Sequence, residues 1–375
     1  YMKKIIIILP SFEAVSPIRS ALSLIKGLLE EYDVLVVSIN RDIIKKDSIK
    51  KYLIELKVDF VFLNNNGLKN IFKARQNIQI LLNNQKPDIV ISYLLRADLI
   101  LAMTTTKAKK ISSIRNMLEH EYIISHGLFT GKVSGFFHKL ALNKFDKLII
   151  MSNDMRDYFL SNKFNTNKLE LIYNSLDEQD IKIKAKEIIN FPFLNRLPTV
   201  VTISSLIKRK NVSLLLEAAI ELLDQGLRFN ILIIGDGSEK DKLTNIINNS
   251  KHKDSFHFMG HVYNPIPFLM KSEIFVMTSI SEGVSRSLME ALYLGKLCIV
   301  SDIDGNRELI QNNKNGYLFN SKQELVDIIQ KQLVNIFSNN KNLLPDKFRS
   351  NVSLDLHKKL FEEIIEKTDT LAEKV

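Results

Sequence analysis

Apolar residues along the chain occur in two alternating patterns. Short continuous runs, such as residues 5–9 and 274–277, are rich in β-branched side chains and bounded by turn residues, which is typical of buried strands. Between the runs, apolar residues recur every three or four positions, as in residues 17–31, which is typical of amphipathic helices. This alternation predicts doubly wound α/β units with parallel sheets.

The pattern predicts two such series of strands and helices. The predicted strands are residues 3–9, 33–39, 59–63, 88–92, 110–114, 147–151 and 168–173, then 200–204, 229–234, 256–259, 274–277 and 297–300. The main predicted helices are residues 17–31, 70–83, 97–106 and 132–143, then 212–225, 238–248 (capped by Ser238), 265–270, 284–294, 323–337 and 354–371. A chain of 375 residues is also too long for one ordinary core, so two domains are expected.

A polar, lysine-rich stretch separates the two series. Residues 177–198 contain Pro192 and end at Pro198, and no strand pattern crosses them. We therefore predict a first domain over residues 1–176, a linker over 177–198 and a second domain over 199–355.

The most informative stretch is a strand–loop–helix unit in the second series. Its loop carries Glu282 and Gly283, and Glu290 lies eight positions after Glu282 in the helix. In open α/β sheets such a loop lies at the carboxyl ends of the strands, where ligands bind. The amides of Gly283 to Ser285 and the helix dipole suit a phosphate, and the two carboxylates suit sugar hydroxyls. On spacing alone, a solvated helix with two surface glutamates is an equal alternative.

A longer ordered series of residues carries a family resemblance. It comprises Ser281-Glu282-Gly283, Leu288-Met289-Glu290-Ala291, Gly295, Ser301-Asp302, Gly305-Asn306-Arg307-Glu308-Leu309-Ile310 and Asn315-Gly316-Tyr317-Leu318. This series resembles the donor-site signature of retaining glycosyltransferases of family GT4, in which Glu282 and Glu290 match the E-x7-E motif. The resemblance implies the GT-B fold, with two Rossmann-like domains facing each other across a cleft. It also implies that the last segment, residues 356–375, is a helix that packs back on the first domain.

The resemblance implies roles for the donor-site residues. Glu282 would contact a sugar hydroxyl and Glu290 the ribose, while Lys210 would neutralise the diphosphate. The family's usual arginine position is occupied by Ser205, so Arg209 or Arg286 would supply that charge. The expected catalytic residues are Glu282, Lys210 and Arg209; the expected donor-binding residues are Glu290, Gly283, Val284, Ser285, Arg286, Ser205, Gly235 and Gly237.

The acceptor side resembles the family less. The loop after the first strand starts at Ser11 and has no glycine, and Arg115-Asn116 stands where the family shows a histidine. Ser11, Arg115 and Asn116 are therefore the candidate acceptor-side residues, with Arg115 suited to holding a phosphate or orienting the acceptor.

The net charge of +10 lies entirely in the first part of the chain. Residues 1–150 hold 23 Lys and Arg against 13 Asp and Glu, while the remaining residues balance. No nucleic-acid motif accompanies this charge, so we favour a membrane surface or a lipid diphosphate over nucleic acid. A lysine-rich solubilising surface is the alternative. In the predicted helix 131–143, Phe136, Phe137 and Leu140 beside lysines suggest either an interfacial helix or, more commonly, a packed face.

Several absences narrow the prediction. A single cysteine, Cys298, excludes an internal disulfide. No apolar run is long enough to span a membrane, and residues 5–9 are too few for a secretory signal, so we expect a cytoplasmic protein, with peripheral binding to the inner face of the cytoplasmic membrane as a further option. The seven histidines and one cysteine form no evident metal-binding motif, so neither a metal nor another cofactor is expected.

The sequence thus predicts a retaining, metal-independent glycosyltransferase. Its donor would be a nucleotide-diphosphate sugar, UDP-linked by preference, and its acceptor a glycan or lipid-linked glycan of a bacterial surface polysaccharide such as O-antigen or capsule. Two alternatives share the fold: a sugar-nucleotide epimerase, which uses no acceptor, and an inactive sugar-nucleotide-binding subunit, suggested by the missing histidine and by Ser205.

Overall fold

The structure is a computed structural model that describes residues 2–41, 48–115, 127–189, 191, 197–335 and 341–372. The chain forms two compact units. The first comprises Tyr1–Ser175 and Ser350–Val375, and the second Leu176–Arg349. Each unit is built around one parallel sheet.

The first unit has a seven-stranded parallel sheet in the order β3-β2-β1-β4-β5-β6-β7. Its strands are β1 Lys3–Leu9, β2 Tyr32–Ser38, β3 Asp59–Phe62, β4 Ile89–Tyr93, β5 Lys109–Ser113, β6 Lys147–Ile150 and β7 Leu169–Leu171. Its helices are α1 Ser16–Leu28, α2 Lys50–Glu55, α3 Ile71–Gln85, α4 Leu94–Ala102, α5 Leu128–Leu142, α6 Asn153–Ser161 and, from the end of the chain, α14 Ser350–Ala372.

The continuous apolar run of β1 reflects its central place in this sheet. The strand pairs in parallel with β2 on one side and β4 on the other, and Ile5 to Leu9 are fully buried. Helix α14 covers part of the same core and lies close to α1, where a Cβ on Gly27 would come within 2.6 Å of Leu354 Cδ2. A glycine at position 27 therefore permits the close approach of the two helices.

The second unit has a six-stranded parallel sheet in the order β10-β9-β8-β11-β12-β13. Its strands are β8 Thr199–Ile203, β9 Asn230–Ile234, β10 Phe256–Gly260, β11 Ile274–Met277, β12 Leu297–Ser301 and β13 Tyr317–Phe319. Its helices are α7 Glu178–Lys184, α8 Val212–Asp224, α9 Lys240–Asn248, α10 Ile266–Met270, α11 Arg286–Tyr293, α12 Asp304–Arg307 and α13 Lys322–Val334.

The strand order of the second sheet brings together the loops that carry the predicted site residues. β11 lies between β8 and β12, and all three run in parallel. The loops that follow β8, β11 and β12 consequently emerge at the same edge of the sheet.

The structure corrects several local predictions. The segment predicted as a linker contains α7 and belongs to the second unit, and α14 begins four residues earlier than expected. Helix α9 begins at Lys240 with Glu239 as its N-cap and no side-chain cap bond, so the predicted capping by Ser238 is wrong. Helices α2 and α6 were not predicted, because short helices carry too few apolar repeats to show a period.

No helix within the described ranges is both long enough and apolar enough to cross a membrane.

Candidate active site

The candidate site is built around Glu282 in the loop after β11. Its carboxylate is ion-paired with Lys210 Nζ through Oε1 and with Arg209 Nη1 through Oε2, the second pair at 3.2 Å. Both cations lie on a short 3₁₀ turn, Lys208–Lys210, that follows β8. The Glu282 side chain is only 9% exposed, so this cluster of three charges is largely withdrawn from water.

Backbone contacts hold the two loops against each other. Ile280 N–H donates to Arg209 O at 2.9 Å, and the Arg209 guanidinium donates to Ser281 O at 2.6 Å. Thr278 Oγ1 donates to Asn211 O at 2.8 Å. These bonds fix the position of the cations relative to Glu282, so the arrangement exists before any ligand binds.

The charges around Glu282 set its protonation state. Burial alone would raise the pKa of this carboxyl, but attraction to Lys210 and Arg209 outweighs burial and lowers the pKa below its ordinary value. Glu282 is therefore ionised at neutral pH and acts as a hydrogen-bond acceptor.

Gly305 packs against the backbone of this loop, although the sequence analysis did not place it in the site. Gly305, in α12, lies so close to the loop that a Cβ there would stand 1.9 Å from Gly283 O and 2.5 Å from Glu282 O. Any side chain at position 305 would displace the backbone of the two loop residues. The resemblance includes Gly305, but only the fold shows which backbone it touches.

Helix α11 carries the second glutamate. Ser285 is its N-cap and Arg286 its first residue, so the helix begins two positions later than predicted. Glu290 is buried and accepts a hydrogen bond from Arg286 Nε at 3.1 Å, and Arg286 Nη2 lies 3.9 Å from Asp180 Oδ2. Asp180, from the segment predicted as a linker, was missed because nothing in the sequence relates it to α11.

The turn at Gly235 and Gly237 packs against the loop after β8. Gly235 has a φ of +145°, and a Cβ at Gly235 or Gly237 would collide with the carbonyl oxygen of Ser204 or Leu206, respectively. Leu206 N–H also donates to Asp236 O at 2.9 Å. Ser205 is exposed next to this contact. The two glycines thus permit the close approach of two loops at the edge of the sheet where the candidate site lies.

In the first unit, Arg115 is buried rather than presented on the surface. Its guanidinium lies 4.8 Å from the centre of the Tyr93 ring, and Nη1 donates to Asn174 Oδ1 at 3.0 Å. It lines a cavity of about 20 Å³ together with Ser20 and His357. Arg115 therefore does not face an open acceptor site within its own unit.

The structure describes one of the other two acceptor-side candidates. Ser11 lies after β1 and accepts a hydrogen bond from Glu13 N–H at 3.4 Å. Asn116 lies outside the described residues.

The described residues hold no cluster of metal ligands. Nowhere among them are three or more His, Cys, Asp or Glu side chains arranged to hold a metal ion. The expectation of metal-independent activity stays a prediction. Burial raises the pKa of the Cys298 thiol far above its usual range, which makes this residue part of the core.

Two protein-family models match the chain, one to each half. The model described as "Glycosyltransferase Family 4" matches residues 19–180, and the model described as "Glycosyl transferases group 1" matches residues 185–343.

Three relatives illustrate the range of similarity. The O-antigen biosynthesis glycosyltransferase WclY of Escherichia coli is 23% identical over 348 residues, which cover 89% of this chain and 96% of WclY. An N-acetylgalactosaminyltransferase of Campylobacter jejuni, named for a diphospho-undecaprenol-linked substrate, is 28% identical over 192 residues, 51% of each chain. The crystal structure of HepE from Anabaena in complex with UDP superposes with a TM-score of 0.72 at 15% identity, covering 99% of this chain and 100% of HepE.

The last comparison shows a shared fold across the whole chain, and the family models match both units. The chain belongs to the GT4-like glycosyltransferases of the GT-B fold.

Proposed function

We propose that this glycosyltransferase moves a sugar from a UDP-sugar to a lipid-linked glycan, with retention of configuration and without a metal ion. The observation that carries the proposal is the buried Glu282 carboxylate, held by Lys210 and Arg209 at the edge of the second sheet. Among the relatives, HepE binds UDP, WclY is named for O-antigen biosynthesis and the Campylobacter enzyme for a diphospho-undecaprenol-linked substrate. These names support the donor, the bacterial surface polysaccharide pathway and the lipid-linked acceptor, respectively.

The cation pair is suited to a diphosphate. Lys210 and Arg209 converge on one carboxylate, so their charges are close enough to act on one anionic group. A bound diphosphate would share these cations with Glu282 and leave its carboxylate able to accept a hydrogen bond from a sugar hydroxyl. The free N–H groups of the first turn of α11 and the neighbouring loop amides of Gly283 to Ser285 would bind the remaining phosphate oxygens.

The ion pairs of the two candidate arginines support one of them as the source of the charge missing at Ser205. Arg286 is engaged by Glu290 and lies near Asp180, both of which are acidic. Arg209 instead lies beside Lys210 on the same carboxylate. We therefore assign the compensating charge to Arg209, and to Arg286 the role of orienting Glu290 toward the ribose.

These groups would promote transfer by stabilising the leaving group. The bond between the anomeric carbon and the diphosphate oxygen breaks as the acceptor oxygen bonds to the same face of that carbon. The acceptor proton passes to the departing phosphate, whose negative charge Lys210 and Arg209 stabilise. No metal ion is needed for this charge neutralisation. A lipid-linked acceptor would bring the enzyme to the surface of a membrane.

Calorimetric titration with UDP, GDP, ADP and their sugar conjugates tests the donor site. We expect one diphosphate nucleotide to bind the wild type. Lys210→Ala should lower the affinity for that nucleotide roughly ten- to a hundredfold, because a charge-assisted contact is lost. Glu290→Ala should lower the nucleotide affinity by a similar factor. Lys208→Ala, an exposed lysine in the same turn, is the matched control and should bind normally.

Activity assays separate the alternatives. Turnover with a lipid-linked acceptor that persists in EDTA, with an anomeric configuration equal to that of the donor, is the expected result. Conversion of the sugar nucleotide without an acceptor would instead identify an epimerase, and tight binding without turnover an inactive subunit. Unchanged nucleotide affinity in both site variants would contradict the proposed donor site.

A further inference from the structure

Helix α5 has an unusual distribution of side chains. Its buried positions are mostly small, including Gly131, Gly135 and Ala141. Its large apolar residues are exposed instead: Leu128 (64%), Phe129 (81%), Val133 (41%), Phe136 (60%), Phe137 (54%) and Leu140 (50%). We call these six residues the α5 face.

The α5 face is continuous along the helix. Phe129, Val133, Phe136, Phe137 and Leu140 follow the three- and four-residue spacing that places side chains on one side of a helix. The rings of Phe136 and Phe137 pack edge to face, with centroids 5.7 Å apart. The more common explanation favoured by the sequence, a face packed in the core, is therefore wrong.

The inward side of α5 explains why the large residues stay outside. Gly131 and Gly135 are buried, and His138 Nε2 lies 2.7 Å from the fully buried Asp98 of α4. Asp98 also accepts a hydrogen bond from Ser112 Oγ at 3.0 Å. Small residues and a polar bond thus fix which side of α5 faces the sheet, and the apolar side is left in water.

Six large apolar side chains in water are costly, so a contiguous patch of this kind marks an interaction surface. The surrounding charge indicates the partner. Lys132 and Lys144 are exposed on and just after α5, and residues 1–150 carry the whole net charge of +10. Phenylalanines flanked by lysines match the chemistry of an anionic bilayer surface, with acyl chains below charged headgroups.

We propose that the α5 face inserts into the interfacial region of an anionic lipid bilayer, with the helix axis parallel to the membrane. This inference rests on the proposed function, because a lipid-linked acceptor lies in such a surface, and it deepens that proposal by naming the docking element and the lipid class. The phenylalanines would enter the acyl boundary while the lysines contact lipid phosphates.

Co-sedimentation of the full chain with vesicles tests the proposal. We expect binding to vesicles of phosphatidylcholine with about 30 mol % phosphatidylglycerol, weaker binding to phosphatidylcholine alone, and loss of the difference at high salt. The double variant Phe136→Ser/Phe137→Ser should reduce the bound fraction at limiting lipid by roughly tenfold, since it removes two apolar anchors.

An exposed isoleucine supplies the matched control. Ile54 lies on α2, is 57% exposed, and belongs to the same unit. The crossover from β2 to β3 runs in the opposite direction along the sheet from the crossover from β5 to β6. Right-handed connections therefore place α2 and α5 on opposite faces of the sheet. Ile54→Ser should bind vesicles like the wild type.

A spectroscopic readout locates the helix directly. The chain has no tryptophan, so Phe136→Trp introduces a single tryptophan, whose emission can be excited selectively, into the α5 face. Its emission should shift to the blue on anionic vesicles and be quenched by brominated acyl chains. Ile54→Trp should show neither change.

Two results would overturn the proposal: unchanged vesicle binding by the double serine variant, or unshifted emission from the Phe136→Trp variant on vesicles that bind it. A concentration-dependent dimer that the double variant converts to a monomer, without vesicle binding, would instead make the face a contact between copies. Nucleotide affinity is measured without lipid, so failure of docking and failure of the donor site are separate results.

Discussion

Two buried charges in this enzyme are stabilised in different ways. Glu282 is surrounded by two cations, whereas Arg115 has no ion-pair partner among the described residues and relies on the Tyr93 ring and Asn174. Burial lowers the pKa of Arg115, although an arginine stays charged at any physiological pH. A charge held in this way makes a second charge beside it unfavourable.

His357, which lines the same cavity, is a second buried titratable group. Burial, and secondarily repulsion from Arg115, lowers its pKa from 6.5 to about 4, although a hydrogen bond to Ser353 O acts in the opposite direction. Between pH 6.5 and 4 the unfolded chain thus binds a proton that the folded chain does not, so folding stability falls as the pH falls through this window.

We expect His357→Leu to remove this pH dependence. Between pH 7 and pH 4.5, the free energy of unfolding of the wild type should fall by about 2.5 kcal/mol relative to that of the variant. Each unit of pKa shift corresponds to about 1.4 kcal/mol. Urea unfolding of the first unit at the two pH values measures the difference. A wild-type-minus-variant difference that does not change with pH would contradict a neutral, buried His357.

At the scale of elements, the donor loop depends on how α12 meets it. Gly305 touches the backbone of Glu282 and Gly283, and Ser301 Oγ donates to Ser279 O at 2.6 Å from the end of β12. The loop therefore takes its position from the neighbouring strand and helix as well as from its own residues.

Gly305→Ala should impair the site more than the fold. Its methyl group must displace Gly283 O, so we expect nucleotide affinity to fall at least about tenfold, with a loss of stability of roughly 1–3 kcal/mol from overpacking. Calorimetry and thermal unfolding measure the two effects. Gly226→Ala is the control: Gly226 has a φ of +91° but no atom within 4 Å of its Cβ position, so backbone strain occurs without a loop collision. Normal affinity in Gly305→Ala would show that the loop can move without loss of the site.

The sequence predicted the strands and helices better than it predicted which of them lie next to each other. Uniform apolar runs identify buried strands such as β1 and β11, because both faces of a parallel sheet are covered. The sequence also placed Lys210 and Glu282 after strands. Their contact, 72 residues apart, depends on β8 lying beside β11, which a one-dimensional pattern does not contain. For α5 the period predicted a helix, but the buried side was decided by glycines and His138.

At the scale of the whole molecule, the first unit is made from two separate pieces of chain. The last helix, α14, contributes Leu360, Phe361 and Ile364 to the core of the first sheet. Phe361 is fully buried, with its ring centroid 6.0 Å from that of Tyr32. The end of the chain is therefore part of the first core.

Phe361→Ala should destabilise the first unit selectively, by about 3–5 kcal/mol, because it leaves a cavity in that core. Phe229→Ala makes the matching change in the core of the second unit, where Phe229 is 1% exposed. Hydrogen exchange, read separately for amides of the two sheets, should show each variant weakening its own sheet. Equal weakening of both sheets by Phe361→Ala would show that the two units unfold as one.

The split first unit also constrains the order in which the two units can finish folding during synthesis. The second unit is continuous, and its ends meet where Leu176 N–H donates to Phe348 O at 3.0 Å. A ribosome adding about 5–20 residues per second finishes residue 175 about 9–35 seconds before it reaches α14. For that interval the nascent first sheet lacks α14, so the second unit can complete its core before the first unit does.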